Sequence, residues 1–204
     1  MITIVNYGSG NIGAITNLLH LSNLAHEVIE EPQQLAKAQH ILLPGVGSFD
    51  PTMDLFRKSG LEDAMRERVA AGAALMGICV GMQVLADSSE EGSAAGLGFI
   101  PGRVRRFDAQ TIRDASKVPH MGWNAVNPVK PDHPMLKNID IARGFYFLHS
   151  YTFHCASPDD VIGETTHGAP FHCMVGRGRV IGLQFHPEKS HQNGVQTFKN
   201  FMDI

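Results

Sequence analysis

Short apolar runs alternate with helical patterns through the first half of the chain, and this alternation restricts the fold more than any other feature of the sequence. Four runs are predicted as strands: Ile2–Val5, His26–Ile29, His40–Leu43 and Ala73–Ile78. Three segments have the pattern of helices: Ile12–Leu19, Leu61–Ala71 and Val80–Leu85. Strands and helices in alternation are typical of a parallel sheet covered by helices.

The second half of the chain has a different pattern, with shorter runs and many glycines and prolines. Its clearest strands are Phe145–Leu148 and Val180–Phe185, and a helical pattern returns only at Val195–Phe201. We therefore predict an α/β fold with an open, mostly parallel central sheet flanked by helices and an antiparallel β extension in the second half. No repeat or linker divides the chain, so a single domain over residues 1–204 is expected.

Composition argues against several classes of protein. The 204 residues include 17 basic and 20 acidic side chains, and a net charge of −3 does not favour an electrostatic nucleic-acid partner. No stretch approaches the roughly 18 apolar residues of a membrane span, and the N-terminus lacks the features of a secretory signal. The cysteines, Cys79, Cys155 and Cys173, form neither a disulfide framework nor a CxxC zinc motif, which indicates a reducing cytoplasm.

The segment Gly77–Gly81 reads G-x-C-x-G where a predicted strand ends and a helix begins. A tight turn of this kind crowds the backbone, so it requires small residues on both sides of Cys79 and projects that side chain out of the sheet. The start of the helix favours thiolate over thiol, and the N–H of Val80 is placed to stabilise an oxyanion. The alternative is a small buried cysteine between glycines that serve packing.

A nucleophilic cysteine needs a base, and Phe185–Glu188 supplies a histidine and a carboxylate after a predicted strand. In an extended chain, residues two apart point the same way, so we expect Glu188 beside His186, with Pro187 keeping the chain extended. The carboxylate would select the imidazole tautomer and stabilise imidazolium. The alternative is a surface turn, since the sequence does not show that His186 meets Cys79.

Six segments carry a resemblance to a known family: Asn6–Asn11, Leu43–Phe49, Gly77–Gln83, Val118–Asn124, Phe147–Tyr151 and Gln184–Glu188. They resemble the class I (triad) glutamine amidotransferases, and among these the glutaminase subunits of imidazole glycerol phosphate synthase. The resemblance covers nearly the whole chain. It implies a subunit that hydrolyses glutamine to glutamate and ammonia without a metal or cofactor. The ammonia would pass to a separate (β/α)8-barrel cyclase subunit, which makes imidazole glycerol phosphate and aminoimidazole carboxamide ribotide in histidine biosynthesis.

The residues that the resemblance assigns fall into four groups. The catalytic triad is Cys79, His186 and Glu188. The oxyanion hole is formed by the backbone N–H of Val80 and that of Gly45 or Val46. The substrate-binding residues are Gln83, His149, Ser150 and Tyr151. The residues expected to contact the cyclase are Asn11, Pro119, Met121, Trp123 and Lys189.

Chemistry alone leaves alternatives open for several of these residues. Gln83 lies one helical turn after Cys79 on the same face, which suits contact with the amino-acid end of the substrate. His149 and Tyr151 would suit the core or a strand edge equally well, and a Trp such as Trp123 usually packs into its own core. The Pro-Gly-Val-Gly segment by itself indicates an ordinary turn. With the resemblance, we expect a peptide there to rotate so that its N–H faces the oxyanion.

Three other functions compete with this interpretation. A related glutaminase subunit could supply a different amidation pathway, such as sugar modification in surface polysaccharide synthesis. A non-catalytic regulatory subunit is disfavoured because Cys79, His186 and Glu188 are all present. A cysteine hydrolase of the related protease-like families would carry a histidine directly after the cysteine, where this chain has Val80.

Overall fold

The computed structural model describes residues 1–108, 112 and 118–204. The strands in this part of the chain are β1 (Ile2–Val5), β2 (His26–Ile29), β3 (His40–Gly45), β4 (Ala74–Cys79), β5 (Ser88–Ser89), β6 (Gly102–Arg106), β7 (His120–Asn124), β8 (Asn127–Pro128), β9 (Phe145–His149), β10 (Tyr151–Cys155), β11 (Val161–His167), β12 (Ala169–Arg177) and β13 (Val180–Leu183). The α-helices are α1 (Ile12–Leu21), α2 (Phe49–Lys58), α3 (Leu61–Ala70), α4 (Val80–Gln83) and α5 (His191–Met202). No helix in these residues is long and apolar enough to cross a membrane.

One large sheet and one small sheet organise the fold. The large sheet runs β2-β1-β3-β4-β13-β12-β10-β6-β5, with β11 and β8 attached beside β12. The strands from β2 to β13 are parallel, whereas β12, β10 and β6 continue the sheet in antiparallel order. β7 and β9 form a separate antiparallel pair. The predicted fold, a mostly parallel sheet with an antiparallel extension in the second half, is confirmed.

The central parallel strands are buried along almost their whole length. Every residue of β1, β4 and β13 is buried, as is β3 after its first residue. A parallel strand covered by helices on both faces must be apolar throughout, not in alternate positions. This is why these strands are continuous apolar runs in the sequence.

The strand order reverses at β1, since β2 pairs with one edge of β1 and β3 with the other. In open α/β sheets, the carboxyl ends of the strands beside such a reversal form a crevice where ligands bind. The ends of β3, β4 and β13 meet at this edge, with Gly45 opposite Cys79 and Leu183 opposite Ile78. Strand order therefore brings the predicted site segments together.

α2 is a helix that the sequence analysis missed. Its buried residues have helical spacing: Phe49, Thr52, Met53 and Phe56. The helix begins directly after the glycine-rich end of β3, and Pro51 in its first turn resembles a loop signal. Proline is tolerated there because the first N–H groups of a helix have no intrahelical partner.

Element ends also differ from the prediction. The helix after the cysteine is a single turn, α4, and the chain continues in turns before it reaches Leu85. α5 begins at His191 and not at Val195, because Asn193 and Gly194 already form part of its buried face.

Candidate active site

Cys79 ends β4 and stands directly before α4, with φ 56° and ψ −114°. A positive φ is uncommon for a residue with a side chain and marks a strained turn. A Cβ on Gly77 would lie 2.3 Å from the carbonyl oxygen of Gly81, and one on Gly81 would lie 2.0 Å from that of Leu43. Glycine is therefore required on both sides of the cysteine. The residue is 6% exposed, and its thiol lies 3.8 Å from the carbonyl oxygen of Leu148.

His186 follows β13, the strand next to β4, and is 4% exposed. Its Nδ1 lies 2.9 Å from Oε1 of Glu188, whose side chain is 1% exposed. Asn11 donates from Nδ2 to the same carboxylate oxygen at 3.3 Å. Burial lowers the pKa of His186, but hydrogen bonds to Cys79 and Glu188 and the charges of both groups raise it to about 10. The site therefore favours the imidazolium beside the thiol.

The segment that carries this pair is not extended, contrary to the prediction. Pro187–Lys189 forms a 3-10 helix, and His186 is the residue that precedes it. The turn brings Glu188 back towards the imidazole, so the two side chains meet without an extended chain. The turn packs tightly on α5, where a Cβ on Gly194 would lie 1.8 Å from the carbonyl oxygen of Pro187.

Cys79 and His186 open onto a cavity of about 670 Å³. The other predicted site residues that line it are Asn11, Val46, Val80, Gln83, Pro119, His149, Ser150, Tyr151 and Lys189. Four predicted residues are not part of the lining: Gly45, Met121, Trp123 and Glu188. A cavity of this size accommodates a small amino acid.

The predicted oxyanion donors differ in their surroundings. Val80 and Val46 line the cavity, whereas Gly45 is packed so tightly that an added Cβ would lie 2.5 Å from the nitrogen of Gly81. The N–H of Val46 donates to the hydroxyl of Ser9 at 3.2 Å. The same hydroxyl donates to the carbonyl oxygen of Val46 at 2.7 Å. The N–H of Val46 is thus occupied by Ser9.

A family model described as glutamine amidotransferase class-I matches residues 3–204 of the chain. The imidazole glycerol phosphate synthase subunit HisH of Leptospira borgpetersenii is 43% identical over 205 aligned residues, which cover 100% of both chains. The subunit HisH 2 of Pseudomonas aeruginosa is 42% identical with the same coverage. The chain belongs to the HisH family of class-I glutamine amidotransferases.

Solved structures extend the comparison to the fold. A crystal structure described as a glutamine amidotransferase has a TM-score of 0.72 at 18% identity, covering 99% of this chain and 97% of that one. The structure of PurLQS from Thermotoga maritima has a TM-score of 0.75 at 16% identity, with the same coverage. At these identities the likeness concerns the fold alone.

In this HisH-family chain, Gln83 is more constrained than the sequence indicated. It is 2% exposed, and its Nε2 donates to the carbonyl oxygen of Tyr151 at 3.2 Å and to Oε1 of Gln184 at 3.1 Å. Both bonds use the amide nitrogen, so the carbonyl oxygen of Gln83 faces away from these two partners. Both N–H groups of the amide are therefore engaged within the protein, and the oxygen is the atom left to accept a hydrogen bond from a ligand.

Glu91 is a cavity residue that the sequence analysis missed. Its Oε2 accepts the N–H of Phe49 at 2.9 Å, which fixes the carboxylate at the start of α2. Burial raises its pKa, and that hydrogen bond works in the opposite direction. The sequence does place two acidic residues, Glu90 and Glu91, shortly after the nucleophile segment. No local pattern, however, predicts that either of them lies near Cys79.

Within the described part of the chain, no cluster of His, Cys, Asp or Glu is arranged to hold a metal ion.

The predicted interface residues divide into two groups. Met121 and Trp123 are 62% and 43% exposed on β7, and the indole stacks on His191 at 5.4 Å between ring centres. Lys189 lies over the ring of Tyr146, 5.5 Å from its centre. Asn11 and Pro119 line the cavity, and Asn11 also contacts the buried carboxylate behind it.

Proposed function

We propose that the protein hydrolyses glutamine to glutamate and ammonia and supplies the ammonia to a (β/α)8-barrel cyclase subunit of imidazole glycerol phosphate synthase. The cyclase would use it to make imidazole glycerol phosphate and aminoimidazole carboxamide ribotide in histidine biosynthesis. The proposal rests on the buried arrangement of Cys79, His186 and Glu188 at a cavity, in a chain 43% identical to a HisH subunit over its whole length.

The chemistry needs only these side chains and water. The Cys79 thiolate attacks the side-chain amide carbon of glutamine, and His186 gives its proton to the departing ammonia as the C–N bond breaks. A γ-glutamyl thioester remains on Cys79. Neutral His186 then takes a proton from water, the hydroxide adds to the thioester carbon, and glutamate leaves as the thiolate is restored. Glu188 accepts the hydrogen bond from Nδ1 and so keeps Nε2 directed at sulfur and substrate.

The oxyanion of each tetrahedral intermediate needs two N–H donors. Val80 supplies one from the strand-to-helix turn, and we propose that a peptide at Gly45 or Val46 rotates to supply the other. The bonds between Ser9 and Val46 support this hypothesis, because they hold the Val46 N–H away from that task. Loss of one such donor typically costs about 10²–10³ in rate, so the free subunit should be slow until the rotation is stabilised.

The cavity offers complementary groups for the amino-acid end of glutamine. The carboxylate of Glu91 is placed to receive the α-ammonium group, and the carbonyl oxygen of Gln83 is a second acceptor for it. Ser150 and Tyr151, which also line the cavity, would contact the rest of the amino-acid end. Charge pairing of this kind fixes which end of the substrate faces Cys79.

The cyclase would dock on the exposed residues near the cavity, including Met121, Trp123 and Lys189. Tryptophan and methionine are enriched in the buried centres of protein interfaces. Pro119, two residues before Met121, lines the cavity itself. A partner that covers β7 would therefore lie close to the site where ammonia is released.

Glutamate release from glutamine, measured with and without the histidine-pathway cyclase and its nucleotide ligand, tests the proposal. We expect slow release by the free subunit and strong stimulation when both are added. Glutamate release that does not change when the cyclase is added would still support the chemistry at Cys79, but it would assign the ammonia to another pathway. No release under any condition would refute the glutaminase.

A Cys79→Ala variant provides the matched control. It should abolish glutamine-dependent synthesis by the complex and leave synthesis from added ammonium unchanged, because the cyclase does not need the thiol. Co-purification of the variant with the cyclase shows that the loss is not a failure to assemble.

A further inference from the structure

Three side chains form a chain of hydrogen bonds across β7 and β9 to the cavity wall. Asn124 donates from Nδ2 to Nε2 of His120 at 3.3 Å. Nδ1 of His120 lies 3.0 Å from Nε2 of His149, which stands directly opposite it in the register of the two strands. Nδ1 of His149 lies 2.8 Å from the carbonyl oxygen of Tyr151, the residue two positions further along.

Only one arrangement of protons satisfies this chain. A carbonyl oxygen accepts but cannot donate, so Nδ1 of His149 carries a proton and Nε2 of the neutral ring is an acceptor. His120 must then donate from Nδ1 and accept at Nε2. The amide nitrogen of Asn124 is fixed as a donor, because it also donates to the carbonyl oxygen of Thr166 at 2.9 Å. An added proton on His149 would place two N–H groups face to face.

The surroundings keep both rings neutral. Burial lowers the pKa of His149 to about 3 and that of His120 to about 4. Among the described residues, the other titratable groups that face them are His167 on β11 and His186 after β13, and both act in the same direction. Three aromatic rings also pack against the two histidines: Phe107, Phe147 and Phe171.

From Tyr151, the series of side-chain contacts continues to the catalytic thiol. The carbonyl of Tyr151 also accepts from Nε2 of Gln83, and this same nitrogen donates to Gln184. Nε2 of Gln184 lies 4.0 Å from the sulfur of Cys79. The orientation of the Gln83 amide, and so of its acceptor oxygen, depends on the position of that carbonyl.

We propose that His120 and Asn124 are positioning residues for glutamine hydrolysis. They hold the His149 ring in one tautomer and one orientation. His149 in turn fixes the carbonyl that orients Gln83, and it adds no positive charge beside His186. The inference rests on the proposed glutaminase function and assigns a role to two residues that touch neither substrate nor sulfur.

The test compares three variants as complexes with the cyclase and its ligand. His120→Leu removes both hydrogen bonds of the ring, and His120→Asn restores a nitrogen donor near the position of Nδ1. Phe171→Leu is the matched control, since it loosens the aromatic packing around His120 without removing a hydrogen bond of the chain. For each variant, kcat and KM for glutamine are measured from pH 5 to 9. The hydrogen bond to Nε2 of His149 is followed by ¹⁵N NMR of the ring nitrogens.

We expect His120→Leu to lower kcat/KM at pH 7 by about 10-fold or more, since small misplacements in a site can cost up to roughly 10²-fold. NMR should show the Nε2 resonance of His149 moved from its wild-type position, because that nitrogen has lost its donor. His120→Asn should recover most of the activity and the wild-type resonance. Phe171→Leu should keep the wild-type resonance even if it lowers the thermal unfolding midpoint.

Two results would overturn the proposal. One is a folded His120→Leu variant whose kinetics match those of Phe171→Leu. The other is a His149 Nε2 resonance that does not change when His120 is replaced. A wild-type complex that releases no glutamate would instead refute the proposed function. This failure is distinct from failure of the positioning role, in which the wild type is active.

Discussion

Replacing Ser9 with alanine removes the hydroxyl that holds both the N–H and the carbonyl of Val46. A protein hydrogen bond contributes about 0.5–1.5 kcal/mol net. Val46 is 53% exposed, so water partly replaces the lost bonds and the lower value applies to each. The two bonds together then stabilise the observed peptide orientation by about 1 kcal/mol, which corresponds to roughly fivefold in population.

If rotation of this peptide limits the free subunit, Ser9→Ala should speed its glutamate release about fivefold. The effect should shrink to less than about twofold in the complex with cyclase and ligand, where the rotated orientation is already favoured. Ser9→Thr keeps a hydroxyl and should behave like the wild type. Steady-state release at saturating glutamine, with and without the cyclase, measures both ratios. An equal effect in the two states, or no acceleration in the free subunit, would refute the reasoning.

Three further predictions concern the triad, the turn and the interface. The raised pKa of His186 means that the folded state binds more protons than the unfolded state between about pH 6.5 and 10, so unfolding free energy should fall as pH rises through that window. Glu188→Gln should flatten this dependence in urea titrations at several pH values. Gly81→Ala places a Cβ 2.0 Å from a backbone oxygen and should cost more than about 2 kcal/mol of stability, whereas Gly13→Ala, with open space around it, should be nearly neutral in the same measurement. Trp123→Ala should weaken binding of the cyclase by about 2 kcal/mol, roughly 30-fold in Kd by calorimetry, with little change in the thermal unfolding midpoint.

The parallel part of the fold was predictable because its strands are buried on both faces. Continuous apolar runs bounded by glycine-rich turns gave β1, β3 and β4 within two residues. The strand-to-helix turn at Cys79 was predictable for a related reason, since few local geometries require G-x-C-x-G. α2 was missed because Pro51 and the preceding glycines are typical of a loop, and only packing of its buried face against the sheet decides the matter.

The meeting of Cys79 and His186 was not predictable from local pattern. The two residues are brought together because β4 and β13 are neighbours, and strand order depends on long-range packing that no local segment encodes. The extended His-Pro-Glu segment was wrong for a similar reason, since contact with Gly194 on α5 favours the turn. Glu91 was missed because it lies in no motif whose chemistry is evident from spacing alone. Ser9 lies in the Asn6–Asn11 segment, but nothing in that segment assigned it a role.

The small β7–β9 sheet connects the exposed interface candidates to the catalytic groups through the main chain. Met121 on β7 stands opposite Leu148 on β9, whose carbonyl accepts the thiol of Cys79. A second residue of β9 contacts the base, because the N–H of His186 donates to the carbonyl of Tyr146 at 2.9 Å. One strand therefore contacts both the nucleophile and its base. A partner that covers β7 would therefore act on β9, the strand whose main chain contacts both the thiol and the residue that carries the imidazole.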